Sequence, residues 1–361
     1  MGTPIVPLKL VTGDRIKDQF EVKKKLGEGA CGQVFLVDML QAKGKAAMKA
    51  EPFMKNKEYE VLKMEVFALK KLQHSRHVCR LLGSGKTDKF TYLVMSLLGK
   101  EIDDIRKRMP QRRISAPSTI RIFIQLVKAL QDIHEAGFVH RDVKPSNMAV
   151  GIKNEQVVYI FDFGLSRQIF LPDAGGKLKL REPRNKSMFR GTARYCSLNV
   201  HLYKDQGRHD DLYGALYSMV ETVTSTLPWK GKGKKEVGNL KKKTTDAQLC
   251  KNCPKSFQDI AATLRDLKYH DTPPYLTFME KLKADLPKGL KMTDPFEWNT
   301  NKTQLDDTNE NKSEREPAEI QGQADTVNEV DESVVTDDRN DTSSAPRHID
   351  ECAPEDTLDN I

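Results

Sequence analysis

The sequence predicts an α+β chain of two unequal lobes: a small, mostly antiparallel β lobe with one key helix, and a larger, mostly α-helical lobe. Three observations carry that expectation. Between Phe20 and Ser96, short strand-like runs are broken by turn residues and by a single helical stretch. From Ile120 through Phe123, Ile124, Val127 and Leu130 to Ile133, apolar residues recur at spacings of three and four, the period of a long core helix. After Asn301, about eighteen Asp and Glu stand against five Lys and Arg, with no Phe, Trp or Tyr, so this part cannot bury enough apolar surface to offset its chain entropy. The expected organisation is an extension over 1–19, a folded domain over 20–300 divided after residue 98, and an acidic disordered tail over 301–361.

In the small lobe, Phe20 to Gly27 and Gln33 to Met39 read as a hairpin and Lys45 to Glu51 as the next strand. The turn reads Leu26, Gly27, Glu28, Gly29, Ala30, Cys31, Gly32, Gln33, Val34. Glycines at this spacing let backbone amides approach phosphate oxygens that a Cβ would keep away. The spacing alone is weak, since a dinucleotide-binding turn shares it. Here, however, a strand follows instead of a helix, and no ribose-binding acid stands at the required distance. Leu62, Val66 and Leu69 mark one helical face, with Glu65 beside them. Lys49, at the end of Ala46, Ala47, Met48, Lys49, needs a carboxylate to hold it, and Glu65 is the expected partner. The strand Thr91 to Ser96 runs into Met95, Ser96, Leu97, Leu98, Gly99, where polarity changes; this is the expected hinge.

In the large lobe, the long helix has capping candidates in Ser115 and Ser118. It delivers the chain to His140, Arg141, Asp142, Val143, Lys144, Pro145, Ser146, Asn147, followed by Asp162, Phe163, Gly164. A chance match at eight of these positions in one register has a probability on the order of 10⁻¹⁰. With the glycine turn and the lysine strand, they resemble the catalytic loop and metal-binding turn of protein kinases. The resemblance implies the bilobal protein kinase fold, with ATP and Mg2+ as cofactors. Phosphoryl transfer leaves little covalent work to the protein, so positioning and charge do most of it. On the family pattern, Lys49 grips the α and β phosphates, Asp142 orients the attacking hydroxyl, Lys144 neutralises the γ-phosphate, and Asn147 and Asp162 hold Mg2+ through oxygens. Thr192 joins Lys49, Glu65, Asp142, Lys144 and Asn147 in the expected catalytic set. Expected nucleotide contacts run from Leu26 through Gly27, Glu28, Gly29, Ala30, Cys31, Gly32 and Gln33 to Val34. They continue at Ala47, Lys49 and Met95, at backbone groups of Ser96 and Leu98, at Ala149 as the adenine floor, and at Asp162.

The next segment closes on Arg190, Gly191, Thr192, Ala193, Arg194, Tyr195, Cys196, Ser197, Leu198, Asn199, where protein kinases usually carry Ala-Pro-Glu. It resembles the casein kinase 1 superfamily, which has a Ser-Ile-Asn-like sequence there. Val61 to Leu72 (VLKMEVFALKKL), His77 to Arg80 (HVCR), Gly207 to Leu212 (GRHDDL) and Leu227 to Trp229 (LPW) are similar to the tau-tubulin kinase branch, over about Asp14 to Trp298. This resemblance implies transfer to Ser or Thr of acidic or phosphate-primed proteins. It also implies a substrate anion site at Arg190 and Arg194, completed by a lysine from Lys230 to Lys235. By family analogy the partners extend to microtubule proteins. The chain departs from the pattern at Cys31, where an aromatic is common, and at Gly214 and Leu216, where Ser and Gly are usual. Ala149 is small and Phe161 large, so Phe161 is expected to fill space behind the adenine.

Without the tail, the formal net charge of +8 becomes a body of about +21. Such a surface favours acidic or phosphorylated protein partners; low aromatic content and the lack of a recognised module argue against direct nucleic-acid binding. No apolar run reaches membrane-spanning length, no apolar stretch follows a basic start, and Val6 stands where a myristoylation signal wants Ser or Thr, so neither secretion nor membrane attachment is expected. Scattered cysteines fit a reduced compartment, and the Cys250–Cys253 pair lacks the companions a zinc site needs. The expectation is a cytoplasmic monomer, with the Lys230 to Lys243 run as a candidate nuclear import signal. The alternative function is a pseudokinase-like scaffold that binds acidic partners through its basic face.

Overall fold

The computed structural model describes residues 4–29, 32–56, 60–173 and 175–300. Ala30 and Cys31, and the acidic tail expected over 301–361, lie outside the described residues.

Alternation of period two builds the small lobe. β1 (Arg15–Ile16), β2 (Phe20–Gly29), β3 (Gly32–Met39), β4 (Gly44–Pro52), β5 (Leu81–Lys86) and β6 (Phe90–Ser96) form one antiparallel sheet in the order β1-β2-β3-β4-β6-β5. Successive side chains of a strand point to opposite faces. On β4, Ala46, Met48 and Ala50 enter one apolar cluster with Phe20, Phe35 and Val94, while Ala47 enters the main core with Leu62, Leu93 and Met95. Lys49 shares the face of Ala47. That parity turns it toward α1 (Leu62–Lys71), whose buried positions are Leu62, Glu65, Ala68 and Leu69.

β2 and β3 are longer than the predicted hairpin, because pairing continues through Gly27 with Val34 and Gly29 with Gly32. A ladder uses only backbone N–H and C=O, which glycine supplies as well as any residue. Gly32 is required for packing: a Cβ there would stand 2.3 Å from the Ala50 carbonyl oxygen, whereas one at Gly27 or Gly29 would meet nothing within 4 Å. Only the latter two therefore leave an open face over the cleft. No side chain of its own caps α1. Glu51, at the end of β4, accepts the amides of Val61 at 2.9 Å and Leu62 at 3.1 Å, so a neighbouring strand supplies the cap.

The chain then passes through β7 (Leu98–Glu101) and α2 (Ile102–Arg108) to α3 (Ala116–Glu135), β8 (Phe138–Val139), β9 (Met148–Gly151) and β10 (Val158–Ile160). β7, β9 and β10 form a sheet in the order β10-β9-β7, so the strand after the hinge is paired into the large lobe. The predicted core positions of α3 are all buried, and α3 packs on two later helices described below. Ser115 precedes the helix but its side chain makes no capping bond, and Ser118 lies inside it. Pro117 in the first turn sets the start instead.

Next come β11 (Arg167–Gln168), which pairs with β8, and a hairpin of β12 (Phe170–Pro172) and β13 (Leu178–Leu180). The remaining helices are α4 (Leu198–His201), α5 (Arg208–Thr224), α6 (Lys234–Lys243), α7 (Asp246–Leu249), α8 (Lys255–Asp266), α9 (Tyr275–Ala284) and α10 (Glu297–Thr300). The partners of α3 are α5 and α9. Arg121 of α3 ties down the end of the lobe, donating to the carbonyls of Asp294 at 2.6 Å and Pro295 at 3.2 Å and lying 4.3 Å from the Phe296 ring centroid. None of the described helices is long and apolar enough to cross a membrane. Cys250 and Cys253 are free.

Glu51→Ala strands the part-buried Val61 amide and the buried Leu62 amide and is expected to lower stability by about 1–3 kcal/mol in urea unfolding, with Glu51→Gln, which keeps an acceptor, losing less.

Candidate active site

The catalytic loop hangs from α5. Asp211, fully buried, accepts the amides of His140 at 2.7 Å and Arg141 at 2.8 Å, and the Nε2–H of His134 on α3 at 2.9 Å. Burial would raise its carboxyl, but the donors of His134 and His140 outweigh burial and hold it below the ordinary range. His134 in turn accepts from the Tyr275 hydroxyl through Nδ1 at 2.7 Å. Arg141 sits at φ +68°. Its guanidinium donates to the carbonyls of Leu165 at 2.6 Å and Ser166 at 3.4 Å, tying the loop to the turn after Asp162. Burial and the nearby Arg190, Arg167 and Arg184 lower its pKa to about 10.

Asp142 lies at the centre of this loop. Its Oδ1 accepts from the Thr192 amide at 2.9 Å and the Thr192 hydroxyl at 2.8 Å; its Oδ2 lies 2.8 Å from the Lys144 amine. Lys144 also donates to the Thr192 hydroxyl at 3.2 Å. Asn147 spends its Nδ2 on Asp142, on the main-chain oxygen at 2.9 Å and on Oδ2 at 3.3 Å. That leaves Asn147 Oδ1 as the atom for other work. Gly191 allows the close approach: a Cβ there would stand 2.5 Å from the Arg141 carbonyl oxygen.

Across the cleft, Lys49 donates to Glu65 and to Asp162, each at 2.7 Å. The expected ion pair is present, extended by a second carboxylate from the other lobe. Glu65 also accepts the Phe163 amide at 3.3 Å. Burial opposes charge on Lys49, and the two carboxylates overcome it and raise the amine. Burial pushes the Glu65 carboxyl up; at Asp162 the Lys49 charge outweighs burial and lowers it. Exposure separates their tasks. The Glu65 side chain is 1% exposed and can only position Lys49, whereas that of Asp162 is 41% exposed and can reach a ligand. Asp162 and Asn147 offer oxygen donors of the kind a hard divalent metal takes.

Ala47, Met95 and Ala149 are buried along the cleft, with Val34 and Leu98 packed against the same core. At the hinge the Ser96 amide is committed to the Arg80 carbonyl at 2.9 Å, and the Ser96 hydroxyl accepts the Arg80 amide at 3.0 Å. Of the backbone groups of Ser96 and Leu98 expected to meet adenine, the Ser96 amide is therefore already engaged. Leu26 is exposed, and Glu28 is shared by Lys25 at 2.5 Å and Gln33 at 3.2 Å, so the charged rim of the glycine turn bonds to itself. Phe161 is half-buried against the core; its amide bonds the Asn147 carbonyl at 3.0 Å and its carbonyl accepts from His140 at 3.1 Å.

The expected anion site is less free than the sequence suggests. Arg194 lies 3.4 Å from buried Glu221, which also takes the Tyr195 hydroxyl. Among the candidate lysines, Lys230 donates to the Ser225 carbonyl at 3.1 Å, Lys232 pairs with Glu236 at 3.0 Å, and Lys234 lies 4.1 Å from the Phe189 ring centroid. The α6 lysine that hydrogen-bonds the segment's main chain is Lys241, outside the expected range. Asp205 was also missed. It pairs with Arg167 at 3.3 Å and Arg184 at 2.9 Å and anchors the segment before Arg190. Asp205 stands between Lys204 and Gln206, so no apolar stretch marks it in the sequence as buried.

The protein kinase domain family matches residues 20–282. The chain belongs to that family, whose chemistry is ATP-dependent phosphoryl transfer to proteins with a divalent metal. It is 38% identical over 291 residues to a probable serine/threonine-protein kinase of Dictyostelium discoideum, covering 79% of this chain and 57% of that protein. A putative serine/threonine-protein kinase of Caenorhabditis elegans is 36% identical over 310 residues, 84% of this chain and 87% of the relative. A putative casein kinase I of the same nematode is 33% identical, over 81% of this chain and 87% of the relative. Serine/threonine kinases and casein kinase 1 relatives are thus its similar proteins, and the chain spans little more than half the length of the first.

Asp211→Asn turns an amide group toward buried donors and is expected to cost about 2–4 kcal/mol at neutral pH. Because the folded carboxyl is depressed, its contribution is present above the unfolded value, near 3.8, and fades as pH falls through the folded one. The stability gap between wild type and variant should therefore narrow in acid, as read by unfolding curves at several pH values.

Proposed function

We propose that the chain is an active serine/threonine kinase of the tau-tubulin-like branch, transferring the γ-phosphoryl of MgATP to acidic or phosphate-primed proteins. The observation that carries this reading is the complete set of charges on both sides of the cleft. Lys49 is held by Glu65 and Asp162, and Asp142 is held by Thr192 beside Lys144 and Asn147. A scaffold that only bound acidic partners would need none of these contacts.

In this reading Asp142 orients the acceptor hydroxyl and takes up its proton, using lone pairs left beside the Thr192 and Lys144 contacts. Lys144 faces the transferred group and offsets its growing charge. Lys49 aligns the α and β phosphates, and Glu65 keeps that amine in place. Asp162 and Asn147 would hold Mg2+, which supplies neutralisation of the phosphate charge. Adenine would lie between Val34 and Ala47 above and Ala149 below, edge-on to Ser96 and Leu98. Lysines of the α6 region and Arg190 favour acidic or phosphorylated acceptors, microtubule proteins among them. Composition alone adds a cytoplasmic monomer with access to the nucleus.

Transfer of labelled phosphate from MgATP to acidic and primed Ser peptides tests the reading. Asp142→Asn should lower kcat by about 10²–10⁴ while nucleotide affinity stays close to wild type, and chelation of the metal should stop transfer. No incorporation into any such peptide by wild-type chain that binds MgATP would sink it. Phe161→Leu should weaken ATP binding about three- to tenfold and lower the thermal midpoint if that ring fills the space behind the adenine.

A further inference from the structure

Helix α6 buries only Val237 and Lys241. They stand four apart, hence on one face. Lysine in the apolar position of a hydrophilic helix loses its hydration, and burial pulls the Lys241 amine down to about 8. Among the described residues no carboxylate offsets that cost.

The amine bonds backbone instead. It donates to the Ala193 carbonyl at 2.7 Å and to the Cys196 carbonyl, with His201 Nε2 at 3.5 Å. Its charge lies 5.0 and 5.1 Å from the ring centroids of Tyr217 and Trp229. Trp229 donates its indole N–H to the carbonyl between them, that of Arg194, at 2.8 Å. Three of four consecutive carbonyls are therefore held by α6 and the loop that precedes it. The preceding residue is Thr192, whose amide and hydroxyl both bond Asp142. On the kinase reading, a peptide that brings a hydroxyl to Asp142 passes beside Thr192, where this stretch begins.

Resting on the kinase reading above, we propose that Lys241 is a positioning residue for the phosphoryl acceptor. By fixing the carbonyls of Ala193 and Cys196 it shapes the floor under the acceptor peptide and keeps Thr192 against Asp142. Its donors are spent on backbone, so it is not the lysine that meets a substrate phosphate.

Two variants of the full chain test this. Lys241→Met keeps the stem and removes the donors; Lys241→Arg keeps donors and charge. The readouts are KM for an acidic Ser peptide against KM for ATP, and hydrogen exchange at the Thr192–Ser197 amides, which needs no activity. The Met variant should raise peptide KM about tenfold, leave KM for ATP within about twofold and speed exchange about tenfold, with Arg restoring most of each. Unchanged exchange overturns the proposal, and so does faster exchange with an unchanged peptide KM. Parallel rises in both KM values would show a merely structural role and overturn it as well. If the Met variant does not fold, Lys241→Gln, with an amide donor on a shorter stem, is measured in the same ways and judged by the same outcomes. If wild-type chain transfers no phosphate, the kinase reading fails, while exchange still decides whether Lys241 holds the segment.

Discussion

A buried carboxylate with no full counter-charge governs the cleft. Asp211 sits inside α5, where an unsatisfied charge would cost several kcal/mol, and its partners are two catalytic-loop amides and one neutral imidazole. The loop cannot leave its conformation, including the positive φ of Arg141, without stranding that charge. From Arg141 the constraint passes to the carbonyls of Leu165 and Ser166, and so to the turn that carries Asp162. Helices α3 and α5, the loop and the turn that carries Asp162 are thus linked by hydrogen bonds into one unit. The small lobe meets that unit at its reactive edge through Lys49 alone among the ion pairs at the cleft described above.

Positive charge is handled differently. Arg141, Arg167, Arg184 and Arg190 crowd one side of the loop, enough to depress Arg141. Asp205 answers with contacts to both Arg167 and Arg184, and it also takes the Arg184 amide at 3.2 Å. A carboxylate of the chain itself thus gathers the segment that leads to Arg190 and Thr192. The segment is then pinned at Thr192 by Asp142 and at the next residues from α6. Its path is set at both ends by charged side chains, with Tyr195 buried in the core between them.

What was legible in the sequence follows from what each group bonds. On the proposed function Asp142, Lys144, Asn147 and Asp162 act on a ligand through side-chain chemistry, so their types and spacing are constrained and readable. Lys49 and Glu65 are readable as a pair because a buried cation needs a partner. Asp211, Glu51 and Lys241 instead bond main-chain amides and carbonyls, which every residue carries. Such partners leave no spacing signature, so only an ionisable residue in an apolar position hints at them. The same reasoning explains the hairpin: the ladder through Gly29 and Gly32 is a backbone matter, and turn chemistry alone placed the strand ends too early. At the hinge, the use of the Ser96 amide by Arg80 is likewise invisible to side-chain patterns.

The lysine run from Lys230 to Lys243 shows how far charge alone misleads. Read as a formal count, it is one basic patch suited to an acidic partner. Its members divide by burial: Lys241 is inside, bonded to carbonyls, and the other lysines of α6 face water. Exposed lysines act at a distance that salt screens within about 10 Å at moderate ionic strength, so on the function proposed above they would attract an acidic substrate without fixing it. Lys241, dry and shielded by two rings, is insensitive to that screening and fixes the chain without attracting anything. On that proposal the attraction of an acceptor and its placement at Asp142 are separate properties of neighbouring lysines, and a change in salt should weaken the first while leaving the second intact.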